Sequence, residues 1–192
     1  MTVEILYHVS PTPGLTTLTP HVSSHGKPYV YAIDDLTTGL LFGVHKDDFD
    51  FLISAGEDGI PDVYECYPGA FQQVYEGKNC SVYEVSGDTF LRGMTSWSPE
   101  LVSETAVPVL REIPVPDLYS ALLDREKQGA LRIHPYDHSP EYRALIAGQL
   151  VTRLILFNMD LETLPQTDPR FATHFASLVE ALHSAMDGHL LP

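Results

Sequence analysis

Three residues sit in this chain where an apolar core would choose otherwise. They are His8 in Leu6-Tyr7-His8-Val9-Ser10, Tyr31 in Pro28-Tyr29-Val30-Tyr31-Ala32, and Glu100 in Pro99-Glu100-Leu101-Val102-Ser103-Glu104. Each lies in, or at the mouth of, a short apolar segment that reads as a strand. A histidine, a tyrosine and a glutamate on three strands are the parts needed to grip and break an N-glycosidic bond in a dinucleotide. Breaking that bond leaves a ribosyl cation of oxocarbenium character, as in glycoside hydrolysis. The chemistry needs aromatic rings to hold the departing base flat and a group that orients the ribose hydroxyls, for which a histidine near a strand end is suited. It also needs a carboxylate that binds the 2′-hydroxyl and steadies the developing positive charge. It needs no metal.

The elements that must position these residues follow from turn chemistry and periodicity. Residues 3–10 read as a first strand, closed by the turn Ser10-Pro11-Thr12-Pro13-Gly14, and residues 15–28 read as loop. Tyr29 to Ile33 is a strand, and Asp34 is placed to cap a helix from Asp35 to Val44. Short strands are expected at Phe51 to Ser54, Val63 to Tyr67, Ser81 to Ser86, Thr89 to Arg92, Leu101 to Ser103 and Val107 to Ile113. Ala70 to Tyr75 has room for one or two helical turns, and Gly56-Glu57-Asp58-Gly59 reads as a hairpin turn.

The character changes after Pro116. Asp117 caps a helix to about Lys127, stopped by Gly129, and Leu131 to His134 is a last strand. Ser139-Pro140-Glu141 opens a helix to about Asn158, and Pro169 opens another to about Asp187. Apolar stripes run along both, Leu145, Leu150, Leu154 and Phe157 on one, Phe171, Phe175, Leu178 and Leu182 on the other. They predict a helical pair packed on the sheet domain or on a second subunit, giving a homo-oligomer. The expected organisation is α+β: a mixed sheet of short strands over 1–116 and a mainly helical extension over 117–192.

Composition narrows the function. The 192 residues carry 26 acids against 11 bases, a formal net charge of −15. Up to Leu91 the only bases are Lys27, Lys46 and Lys78. Such a field repels a phosphate backbone and argues against nucleic acid as a partner. No apolar run reaches the roughly 18 to 20 residues of a membrane span, and Met1-Thr2-Val3-Glu4 lacks the basic and apolar regions of a secretory signal. A cytoplasmic protein is expected, with Cys66 and Cys80 as ordinary thiols.

On these residues the chain resembles the ADP-ribosyltransferase superfamily, in the His-Tyr-Glu class that includes the diphtheria toxin-like and poly-ADP-ribose polymerase-like proteins. Such proteins open their catalytic core with a strand carrying His in a setting like Tyr7-His8-Val9-Ser10. They continue with a strand holding Tyr, here Tyr31, and a second aromatic about eleven positions on, here Phe42. A glutamate at the start of a later strand, here Glu100, completes the set. The resemblance covers roughly residues 3–113 and implies NAD as the bound substrate. By that likeness His8 touches the nicotinamide ribose, and the main chain of Val9 holds the carboxamide. Tyr31 and Phe42 sandwich the ring, Ser10 lies beside the pocket, and Glu100 is catalytic, with Glu104 as the rival carboxylate. The implied reaction is transfer of ADP-ribose to a protein or small-molecule acceptor, or hydrolysis of NAD. The sequence departs from the pattern in two places. Val9 stands where a glycine is usual, which narrows the approach of backbone to ligand. No arginine precedes Arg92, so the phosphates would depend on Lys27 or backbone amides.

Taken singly, His8 also reads as a strand-end histidine bonded to backbone, Tyr31 and Phe42 as plain packing aromatics, and Glu100 as a solvated turn acid. A non-catalytic interaction or structural protein on the same scaffold is the alternative function. The pairs His21/His25 and His134/His138 fall short of a metal site, which wants three ligands and a fixed second shell. No Gly-x-Ser-x-Gly elbow and no phosphate-cradling loop occurs.

Overall fold

The structure, a computed structural model, describes residues 4–22, 26–46, 49–95, 97–156, 163, 173 and 179–190. The chain forms two compact units: Met1–Lys46, Ala55–Pro61 and Val74–Leu131 make the first, and Asp47–Ser54, Asp62–Gln73 and Arg132–Pro192 the second. The fold is α+β, with mostly antiparallel sheet.

In the first unit, β1 (Ile5–Ser10), β2 (Thr17–Leu18), β3 (His21–Val22), β4 (Pro28–Ile33), β7 (Cys80–Ser86), β8 (Leu91–Arg92), β9 (Glu100–Ser103) and β10 (Val107–Val115) form one sheet. Its order is β2-β10-β7-β1-β4-β9-β8, with β3 on β4, and every pairing is antiparallel. Strand alternation sorts the side chains. Leu6, Val30, Ala32, Val85 and Leu101 point to one face and form a core with Leu18, Phe90 and Val107. Tyr7, Val9 and Ile33 point to the other, where α1 (Leu36–Leu40) lies against β1 and β4. Gly39 permits that approach: a Cβ there would stand 3.1 Å from Ile33 Cγ2 and 3.2 Å from Val9 Cγ2.

Asp35, not Asp34, caps α1, its carboxylate accepting from the Thr38 amide at 2.7 Å. Asp34 is engaged instead by Arg92, whose Nη2 donates to Oδ2 at 2.6 Å. The helix stops at Leu40, short of the expected Val44, and the chain tightens into i→i−3 bonds through Gly43. Thr37, Thr38 and Gly39 are poor helix formers, so a single turn is all the segment sustains. Residues 15–28, expected as loop, contain β2 and β3. Thr89 to Arg92 resolves into a 3₁₀ turn over Gly87–Thr89 followed by β8.

Helix α3 (Leu118–Lys127) begins at Asp117, whose carboxylate accepts from the Ser120 amide at 2.9 Å. It ends at Gly129, φ +72°, where Gly129 N–H bonds Glu126 O and Ala130 N–H bonds Arg125 O, a Schellman closure. Leu118 and Leu122 are fully buried and α3 lies against α1. The helix therefore belongs to the sheet unit, and the division differs from a break at 116/117.

The second unit holds β11 (Arg132–His134) parallel to β6 (Pro61–Glu65), with β5 (Phe51–Ala55) on the other side of β6. Most of α2 (Ala70–Tyr75) belongs here, with α4 (Pro140–Leu156) and α5 (Val179–Leu190) packed on one another. Ile146, Ala147, Leu150, Val151, Leu154 and Leu182 are buried. Leu150, Leu154 and Leu182 are inward as expected, whereas Leu145 is 45% exposed and Ile146 takes the inward place at that turn; Phe157, Phe171, Phe175 and Leu178 lie outside the described residues. Asp62 ties β6 to β11, taking two bonds from Arg132 at 2.7 and 2.8 Å and one contact with His134 Nε2 at 2.7 Å. The buried Glu65 carboxylate accepts from the Gly69, Phe71 and Tyr136 amides. Cys66 in this unit and Cys80 in the first are buried free thiols, and burial pushes their pKa values up to about 12 and about 11.

Candidate functional site

The site arises where the sheet of the first unit parts. β1 pairs with β7 along its whole length, from Ile5↔Ser86 to Ser10↔Ser81. Its only register pair with β4 is Tyr7↔Ile33. Beyond that pair the His8 side chain crosses to β4, Nδ1 standing 2.8 Å from the Tyr31 carbonyl oxygen. A carbonyl only accepts, so Nδ1 carries the proton, and in the neutral ring Nε2 is an acceptor. Burial holds the His8 pKa below its ordinary value, opposed by the Tyr31 hydrogen bond and aided by the nearby His21. The plain reading of His8 as a strand-end histidine bonded to backbone holds: one nitrogen is fixed on the Tyr31 carbonyl, which orients the other.

Around this parting lies a cleft of about 320 Å³ lined by residues of β1, β3, β4, α1 and the start of β9. His8, Val9, Tyr31, Phe42 and Glu100 all line it. Glu100 opens β9 opposite Ile33, and its Oε2 is shielded from solvent. Glu104 is exposed beyond the other end of β9 and has no place in the cleft. Ser10 is not among the lining residues; its hydroxyl accepts from the Thr12 amide at 3.1 Å and shapes the turn after β1. That turn is fastened further by Tyr83, whose hydroxyl donates to Thr12 O at 2.6 Å, and by Glu112, which accepts from Gly14 N–H at 3.1 Å.

Sequence reasoning missed six cleft residues: Tyr7, His21, Ala32, Ile33, Gly39 and Trp97. His21 meets Tyr31 edge-on at 6.0 Å between ring centroids, and Tyr29 meets Tyr31 at the same distance at right angles. Trp97 packs beside Phe42, centroids 5.2 Å apart and planes inclined by 55°. The one sequence signal for Trp97 is its position three residues before Glu100. The Lys46 ammonium stands 4.7 Å over the Phe42 ring, a cation–π contact. No group of three or more metal-ligating side chains occurs among the described residues. His134 engages Asp62 and stacks on Tyr64 at 4.1 Å.

The cleft thus offers an acceptor nitrogen, a carboxylate and several aromatic surfaces. Its volume is near the lower end of ligand pockets, suited to a ring and one sugar. Fold and cleft together define an α+β protein with an aromatic, acid-bearing pocket at a parting between two strands. Compared with family models, curated proteins and solved structures, the chain matches none. No described helix is long and apolar enough to cross a membrane.

Proposed function

We propose that this protein is ADP-ribosyltransferase-like: it binds NAD in the cleft and cleaves the nicotinamide–ribose bond, passing ADP-ribose to an acceptor or to water. The observation that supports this most is the convergence of His8, Tyr31, Phe42 and Glu100, from four separate stretches of chain, on one cleft. In this reading the nicotinamide ring lies among Tyr31 and Phe42. Its carboxamide meets the main chain of Val9, where the ladder to β4 has ended. His8 accepts a ribose hydroxyl at Nε2. The Glu100 carboxylate accepts from the 2′-hydroxyl and faces the ribosyl cation as it forms. The C1′–N bond breaks with its electron pair passing to the ring nitrogen, so neutral nicotinamide leaves. A nucleophile then bonds C1′ and gives up its proton.

The test is proton NMR of NAD with the purified protein, by saturation transfer and then over time. Transfer to the nicotinamide protons followed by free nicotinamide supports the proposal, and no transfer at millimolar NAD overturns it. Glu100→Gln should slow release by about two to three decades with the fold intact, as loss of one transition-state contact does. A second reading is a binding module without turnover. It is favoured by the cleft lining, in which the described residues include neither lysine nor arginine for the pyrophosphate. Saturation transfer without nicotinamide release selects it.

A further inference from the structure

We infer that Trp97 is a specificity-determining residue of the cleft, forming with Phe42 an aromatic corner that takes the flat, cationic ring of the ligand. The inference rests on the proposed ligand. Four observations carry it. Both rings line the cleft, and planes inclined by 55° at 5.2 Å make a corner, not a closed stack. Phe42 is 39% exposed, so the corner keeps a large apolar surface open toward the cleft where burial would be favourable. The Phe42 face already accepts one cation, the Lys46 ammonium, and a pyridinium would use the same ring quadrupole.

The fourth observation is how firmly the Trp97 segment is held. Arg92 forks between the Ser98 carbonyl at 3.2 Å and Asp34 at 2.6 Å, tying the segment to the approach of α1. The Trp97 carbonyl accepts from the Glu100 amide at 3.1 Å and from the Thr95 hydroxyl at 3.3 Å. One turn therefore sets both the indole and the acid. A ring seated against Trp97 is held in fixed relation to Glu100, so the corner selects ligands by the end that reacts.

Trp97 is the sole tryptophan of the chain, so tryptophan fluorescence, excited selectively over the tyrosines, reports this corner alone. The full-length protein is titrated with NAD, nicotinamide mononucleotide and ADP-ribose, and binding to Trp97→Ala and Trp97→Phe is followed by saturation-transfer NMR. The two ligands that bear the nicotinamide ring should quench the fluorescence, and ADP-ribose should leave it nearly unchanged. Trp97→Ala should weaken the ring-bearing ligands roughly two- to twelvefold, the span of one aromatic contact. It should leave ADP-ribose affinity unmoved, while Trp97→Phe recovers most of the loss. Wild-type protein that binds NAD with unaltered fluorescence, or Trp97→Ala that binds it equally well, overturns the inference and leaves the NAD reading standing. Quenching by NAD without release of nicotinamide supports the corner and selects the binding module over the enzyme.

Discussion

Replacing Gly39 by alanine tests whether the contact between α1 and the parted strands governs the first unit. Two effects of opposite sign compete. An alanine inside a helix is favoured over glycine by about 1 kcal/mol. Against this, the new methyl would lie 3.1 Å from Ile33 Cγ2 and 3.2 Å from Val9 Cγ2, inside the roughly 3.5 to 4.0 Å of a good carbon–carbon contact. Relief would require one of those side chains to turn. Both are β-branched with stiff χ1, and their backbones are anchored by the pairs Val9↔Val82 and Ile33↔Glu100. Overpacking of this kind costs about 1 to 3 kcal/mol, so the steric effect wins and Gly39→Ala should destabilise by about 1 kcal/mol. Gly148 in α4 is the control: an added Cβ meets nothing within 4 Å, so Gly148→Ala keeps only the helical gain and should stabilise by up to about 1 kcal/mol. Urea unfolding followed by Trp97 fluorescence for the first variant and far-ultraviolet dichroism for the second measures both. The double variant Val9→Ala/Gly39→Ala should recover part of the loss, because the two sites touch. A Gly39→Ala protein as stable as the parent would refute the claimed crowding of α1 on β1.

Two further predictions concern protons. Hydrogen bonding from Arg132, then from His134, holds the Asp62 carboxyl at about 2, below its usual 3.8. The stability it contributes is complete above pH 4 and is lost as pH falls toward 2, where the unfolded chain binds the proton more readily. Asp62→Asn should remove that slope from an acid titration of the helix signal, and an unchanged acid limb would contradict the assignment. The His8 pKa is also depressed, here by burial, so the linkage has the same sign at higher pH: the unfolded state protonates first below pH 6.5. Stability should decline as pH drops from 6.5 to the folded value. Ligand binding through neutral Nε2 should stay flat from pH 8 to 6.5 and weaken only below that, a profile that His8→Gln should flatten throughout.

The strands and helices that carry strong local signals were legible in the sequence. Asp117 and Gly129 mark the ends of α3 by capping chemistry that acts within one turn, and Ser139-Pro140 marks the start of α4 the same way. Where two neighbours offer the same local chemistry, distant contacts decide. Asp34 and Asp35 are equally able caps, and the choice falls to Asp35 because Arg92, far along the chain, takes Asp34. The two-residue strands β2 and β3 exist through pairing with β10 and β4, so no local pattern announces them. The candidate site was legible to the extent that His8, Tyr31 and Glu100 are odd residues for their settings, while Phe42 entered only through its spacing from Tyr31 in the resemblance. Trp97 and His21 lie on segments without periodicity, and only the folded chain brings them to the cleft.

The two cysteines give the molecule a pair of internal clocks. Alkylating reagents attack the thiolate, and with pKa values near 12 and 11 neither Cys66 nor Cys80 supplies much of it in the folded state at neutral pH. Each reaction must therefore wait for its surroundings to open, and each thiol belongs to a different unit. Mass spectrometry of a timed alkylation would separate the two labels in one sample. The ratio of their rates then measures how often the cleft-bearing sheet opens relative to the helical unit. Adding a ligand of the cleft should slow the Cys80 clock selectively.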